Sequence, residues 1–191
     1  MNYKGKWQTI EFNGGSMRRK LYVDDATNPK YKYNEEITFV DVTDDRPYAI
    51  CIGLNPAAAE EKLDVTNQRL VKLLNQEYKG YFLFNIYPEI TDNKKQLNFD
   101  DNENIGFVSI LKNILNEEQY SHLDVILFFG RTLVIPKDFV DLLQEWHKNR
   151  RIYITSHKEE FTHPGANADI QKISFEINYL KNSTSIRVNP S

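Results

Sequence analysis

A single α/β domain with a mostly parallel central sheet between helices, three layers in all, is the fold class this sequence predicts. Two observations carry that prediction. Four apolar runs, Tyr48 to Gly53, Tyr81 to Asn85, Val125 to Gly130 and Ile152 to Ser156, each stop on a glycine or a polar residue, as buried strands entering turns do. The segments between and after them carry apolar residues at helical spacing, so strand and helix alternate as in β-α-β units. The 191 residues, 40% hydrophobic and 13% aromatic, suffice for one well-filled core and are short for two.

In chain order, Lys4 to Phe12, Arg18 to Val23 and Glu36 to Val42 read as short polar strands around the turn signal Asn13-Gly14-Gly15, an antiparallel flank over residues 1–47. The α/β core follows over 48–180. Its first helix spans Thr66 to Tyr78, with Leu70, Leu73, Leu74 and Tyr78 on one face. Asp100 to Asn116 places Ile105, Val108, Leu111 and Leu115 on a stripe, and Lys137 to His147 does so with Phe139, Val140, Leu143 and Trp146. Ile170, Ile173, Ile177 and Leu180 predict a last helix over Asn167 to Leu180, before a polar tail at 181–191.

A formal charge of −3 argues against a protein held to nucleic acid by a general basic field, although Met17-Arg18-Arg19-Lys20 or Lys148-Asn149-Arg150-Arg151 could form a local strip. The single cysteine, Cys51, lies inside a predicted buried strand and reads as a small core residue, so neither a disulfide nor a thiolate cluster is expected. The four histidines form no HExxH spacing, and no metal or other cofactor is expected. Without a signal peptide or a membrane-length apolar run, the expectation is a cytoplasmic monomer that makes no membrane contact.

The chemistry-bearing residues gather at the strand ends. Gly53-Leu54-Asn55-Pro56 leaves a strand with a glycine that permits close approach and an Asn held out of the helical region by the following proline; an ordinary turn is the alternative. Glu60, Glu61 and Asp64 follow, then Thr66 and Arg69 at a helix start. Asp64 there is either a helix cap or a carboxylate poised over a reacting carbon. Asn85 closes its strand either as an amide reading a base edge, with Phe84 or Tyr87 as a stacking face, or as a turn residue. His163-Pro164-Gly165 opens a loop in which the histidine is either catalytic or a cap. Gly130-Arg131 reads as a tight turn with a phosphate-capable arginine. Strand carboxyl ends are where open α/β sheets build ligand sites.

Taken in order, Leu54-Asn-Pro-Ala-Ala-Ala-Glu60, Asp64-Val-Thr66, Phe84-Asn-Ile-Tyr-Pro-Glu-Ile-Thr-Asp92, Asn104, Phe129-Gly130 and His163-Pro164 resemble a bacterial and phage family, the domain of unknown function numbered sixteen-forty-three. The resemblance spans roughly residues 17 to 170, with departures at Ala57, Glu60, Val65 and Phe129. At greater distance the same landmarks resemble the uracil-DNA glycosylase superfamily. Gly53-Leu-Asn-Pro56 stands at its water-activating loop, Phe84-Asn85 at its base-reading strand end, Phe129-Gly130 at its Trp-Gly or Leu-Gly strand end, and His163-Pro164-Gly165 at its His-Pro-Ser loop. The iron-sulfur cysteines of one branch are absent.

That resemblance implies a uracil-DNA glycosylase-like fold and a monofunctional DNA glycosylase acting on double-stranded DNA that carries modified bases. Catalysis would rest on three residues. Asn55 orients a water at the anomeric carbon, Asp64 or failing that Glu60 supplies negative charge, and His163 hydrogen-bonds the departing base. Gly53, Pro56, Ala57, Thr66, Arg69, Phe84, Asn85, Tyr87, Gly130 and Arg131 complete the expected substrate contacts around a flipped-out nucleotide. Where strict uracil enzymes resemble one another in an aromatic wall beside pyrimidine carbon 5, this chain has Ala57, so a 5-modified pyrimidine such as hydroxymethyl- or glucosylated cytosine is the expected base, and defence against phage the setting. The rival readings are a non-catalytic nucleic-acid or nucleotide-binding module and an N-glycosidase of free nucleotides.

Overall fold

The computed structural model describes residues 7–14, 17–39, 45–57, 60, 62–91, 96–130, 135–158, 160–166 and 169–176. Its strands are β1 (Gln8–Gly14), β2 (Met17–Val23), β3 (Lys32–Phe39), β4 (Tyr48–Gly53), β5 (Gly80–Asn85), β6 (Asp124–Leu127), β7 (Ile152–His157), β8 (Glu160–Phe161) and β9 (Gln171–Ser174). Its helices are α1 (Val65–Leu74), α2 (Asn102–Leu115), α3 (Glu118–Ser121) and α4 (Lys137–Trp146), with a 3-10 turn at Pro164–Ala166.

Local chemistry sets the helix starts. Asp64 caps α1 by accepting from the Asn67 amide at 2.7 Å, and Asp101 caps α2 by accepting from Glu103 N at 3.0 Å. On one face of the sheet, Leu70 and Leu74 of α1 pack on Ile37, Ala49, Cys51, Tyr81, Leu83, Ile126 and Phe128. On the other face, α2, α3 and α4 bring Phe107, Leu111, Tyr120, Phe139 and Trp146 against Ile50, Ile52, Phe84, Val125 and Ile154. Cys51 is fully buried, and burial pushes its thiol well above the usual range. No helix among the described residues is long and apolar enough to cross a membrane.

The predicted fold class needs correction: the sheet is mixed rather than mostly parallel. Its nine strands run β1-β2-β3-β5-β4-β6-β7-β8, with β9 also against β7. Only β5-β4, β4-β6 and β6-β7 pair in parallel; the other five pairings are antiparallel. With four short helices, the uracil-DNA glycosylase-like three-layer arrangement around a parallel sheet is not what forms. Within the expected antiparallel flank, β3 takes the edge of β5 that a further parallel strand would occupy. The helix predicted over Asn167 to Leu180 does not form in the part of it that is described, residues 169–176. Gln171–Ser174 is a strand, β9, paired antiparallel to β7 through Tyr153↔Ser174 and Ile154↔Ile173. An open edge of β7 rewards pairing, and β-branched Ile173 suits a strand more than a helix.

The parallel strands still create a switch point. From β4 the chain passes through α1 to β5, while β6, on the other side of β4, leads through α4 to β7. Connections leaving in opposite directions open a crevice at the strands' carboxyl ends.

The β9 assignment has a direct check. At exposed Ser174, Ser174→Thr should be more stable to urea than Ser174→Ala by about 0.5 kcal/mol, because a strand favours threonine. A helical segment would give the reverse order.

Candidate active site

At that crevice lies a cavity of about 180 Å³ lined by Lys32, Glu35, Asn55, Pro56, Ala57, Asp64, Thr66, Asn67, Leu83, Asn85, Thr91, Phe128 and His163. Each strand end delivers its residue by alternation. On β5, Leu83 and Asn85 face the cavity, while the intervening Phe84 is buried on the opposite face and packs edge-on to Tyr120. After β6, Phe128 faces the cavity, and Phe129 turns away to pack on Phe139 and Phe161.

Gly53 makes the close approach possible. A Cβ there would fall 2.5 Å from Phe128 Cζ and 2.6 Å from Asn85 Oδ1, so the ring and the amide occupy the space a side chain would need. Asn85 is buried and lines the cavity, its amide carrying both a donor and an acceptor.

Backbone groups hold both Asn55 and His163. The Asn55 Nδ2 donates to the Thr91 carbonyl at 2.8 Å, which fixes the amide and leaves Oδ1 as an acceptor. His163 Nδ1 accepts from Gly165 N at 3.0 Å, which places the ring proton of a neutral imidazole on Nε2. Its loop is closed by two glycines. Gly130 has φ +68° and lies so near His163 N that a Cβ would come within 2.6 Å; a Cβ on Gly165 would come within 2.9 Å of His163 Nδ1. From α1, Arg69 Nη1 donates to the Pro164 carbonyl and anchors the same loop.

Asp64 caps α1, as one of the readings from sequence had it, and it also lines the cavity. Pro56, Ala57 and Thr66 also line it. Glu60 and Tyr87 do not. Glu60 is exposed, and its backbone carbonyl accepts from Arg19 Nη1; Tyr87 is buried against Phe99, where burial pushes its phenol up. Arg131 lies outside the described residues. Of the basic clusters, Arg19 alone reaches the cavity, through Glu35. Residues 148–151 stand where β7 begins, with Arg151 Nε on Asp124 at 2.8 Å, at the end of the sheet opposite the cavity. Arg18 and Lys20 line a separate groove with Glu11, Glu36, Thr38 and Tyr48.

The structure adds a charged floor that strand periodicity conceals. Glu35 is fully buried, with Oε1 accepting from Arg19 Nε at 2.6 Å and from Asn67 Nδ2 at 3.3 Å, and Oε2 from Lys32 Nζ at 3.0 Å. Tyr81 OH donates to Asn67 Oδ1 at 2.9 Å and completes the network. Lys32 and Glu35 share a face because the β2–β3 register slips: Tyr22 pairs with Asn34 and Val23 with Lys32, leaving Tyr33 as a bulge. Strict alternation would set them on opposite faces. Burial opposes ionisation of Glu35, but Lys32 and Arg19 outweigh it and hold the carboxyl below the usual range. Among the described residues, no group of three or more His, Cys, Asp or Glu could hold a metal ion.

The family described as a protein of unknown function (DUF1643) matches residues 39–165, two thirds of the chain, and the chain belongs to it. No curated protein matches the chain. No solved structure matches it either.

Glu35 gives a pH prediction. A depressed folded pKa stabilises the protein above the ordinary carboxylate value of about 4.3, and that contribution is lost as pH falls through the lower folded value. Glu35→Gln leaves Lys32 and Arg19 without their counter-charge and should cost roughly 3 kcal/mol or more at pH 7. Urea unfolding of both proteins at pH 7 and pH 3 checks it: the gap between them should narrow in acid.

Proposed function

We propose that this member of the DUF1643 family hydrolyses the N-glycosidic bond of a pyrimidine nucleotide whose base is modified at carbon 5. The observation that carries the reading is the convergence, in one cavity, of an anchored Asn55, a buried Asn85 amide, the Phe128 ring and a loop-held His163. A planar heterocycle answers each of them. Phe128 offers a stacking face, Asn85 a paired donor and acceptor for a base edge, and His163 Nε2 a donor for the departing base.

In the reaction, a water oxygen bonds to the anomeric carbon as the carbon–nitrogen bond breaks, and the electron pair leaves with the base. The water proton passes to solvent. Asn55 Oδ1 accepts from the water and aims it, and the Asp64 carboxylate offsets positive charge growing on the sugar. Its cap to Asn67 N keeps that carboxylate in place. Pro56 and Ala57 leave only a methyl group where a bulky wall would meet a 5-substituent.

DNA is the substrate suggested by the resemblance to uracil-DNA glycosylases, with the enzyme acting as a monomer in the cytoplasm on a flipped-out base. One observation favours free nucleotides instead: the Arg150–Arg151 strip and Arg18 stand away from the cavity. A cavity of about 180 Å³ is smaller than the ~300 Å³ at which pockets enclosing whole drug-sized ligands begin, so it takes in a base and the near side of its sugar rather than a whole nucleotide.

The test compares base release from duplex DNA and from free nucleotides bearing 5-hydroxymethylcytosine, 5-hydroxymethyluracil, uracil or cytosine. Release of a 5-modified base is expected, and Asn55→Ala and His163→Ala should each slow it in single-turnover assays by about two orders of magnitude. Absence of release from every substrate would refute the reading. Ala57→Tyr should shrink the preference for 5-modified bases while sparing unmodified ones, measured on matched substrates.

A further inference from the structure

Lys32 is the feature of the cavity that the proposed roles leave unused. It is 98% buried, yet it lines the cavity, and among the described residues the only side-chain partner of its Nζ is Glu35 at 3.0 Å. An ammonium carries three donors and no acceptor, so two remain for something else.

Position decides what that partner is. The Lys32 backbone N–H bonds the Pro88 carbonyl at 2.8 Å, just past β5, which sets Lys32 beside the strand end that carries Asn85. Across the sheet edge the order is therefore Lys32, Asn85, Gly53 and Phe128, with His163 beyond Phe128. A base stacked on Phe128 with its edge on Asn85 directs that edge toward Lys32.

We propose that Lys32 is an oxyanion-binding residue, contacting a keto oxygen of the pyrimidine and stabilising the negative charge the base acquires as it leaves. The inference rests on the glycosidic reading above. When the carbon–nitrogen bond breaks, its electron pair delocalises from the base nitrogen onto the ring keto oxygens, and Lys32 remains protonated beside them. Glu35, Arg19 and Asn67 act as positioning residues. They hold the ammonium at one place through Glu35, and Asn67 is itself oriented by Tyr81. Phosphate and carboxylate groups share the oxygen-anion chemistry, but a base-sized cavity with a stacking ring and an amide favours the base itself.

Free bases test this without any assumption about turnover. Binding of uracil, 5-fluorouracil and 5-nitrouracil is measured by calorimetry at pH values on both sides of each base's own deprotonation. Wild type should bind the anionic form about tenfold or more tighter than the neutral one, as expected for a charge-assisted hydrogen bond. Lys32→Met should erase that preference, weakening the anionic form about tenfold or more beyond any loss for the neutral one. Its fold is checked by thermal unfolding, since the variant retains a neutral Arg19–Glu35 pair. Equal wild-type affinity for neutral and anionic bases overturns the proposal and leaves the glycosidic reading standing, as does a preference that survives in a folded Lys32→Met. Wild type that binds none of the bases overturns both.

Discussion

Burial of the Glu35 carboxylate is the constraint on which the carboxyl edge of this sheet depends. An ion removed from water costs several kcal/mol unless partners restore what water supplied. Here the partners come from different elements: Arg19 from β2, Lys32 from β3 and Asn67 from α1. Through Asn67 the network reaches Tyr81 of β5 and the Asp64 cap, and through Arg19 it reaches the Glu60 carbonyl. One buried charge thus fixes the register of the antiparallel flank against the parallel strands and aims the start of α1 into the cavity. An apolar replacement could fill the same volume without specifying this geometry.

The second device is the use of glycine where two chains must touch. Gly53 lets Asn85 and Phe128 meet over β4, while Gly130 and Gly165 let the His163 loop fold onto the β6 end. Arg69 then ties that loop to α1. His163 is positioned by elements that lie far apart along the chain, and the Gly165 backbone amide places the proton of its neutral ring on Nε2. The cavity therefore assembles only when the sheet, α1 and the loop are all in place.

Much of this was legible from residue order. The apolar runs gave β4, β5 and β7 nearly to the residue, and Asn55, Ala57, Asp64, Asn85 and His163 fall together at one cavity as strand ends in an α/β crossover must. Phe84 shows where local reading stops. An aromatic next to a functional Asn suggests stacking, but alternation turns adjacent residues to opposite faces, and the ring at the cavity is Phe128 from another strand. Glu60 contributes a carbonyl rather than a carboxylate for a similar reason: it meets Arg19 through its backbone.

Spacing and turn chemistry by themselves determined the helices α1, α2 and α4, the parallel strands and the position of the candidate residues at their ends, because these are short-range properties of the chain. Only the tertiary structure decided the mixed sheet, the strand β9 in place of a last helix, and the charged floor of the cavity. Edge pairing depends on which strand edges are left open, and Ile170, Ile173 and Ile177 carry no record of an exposed β7. Lys32 and Glu35 share a face through a one-residue bulge at Tyr33, a slip in pairing with β2 that follows from long-range register.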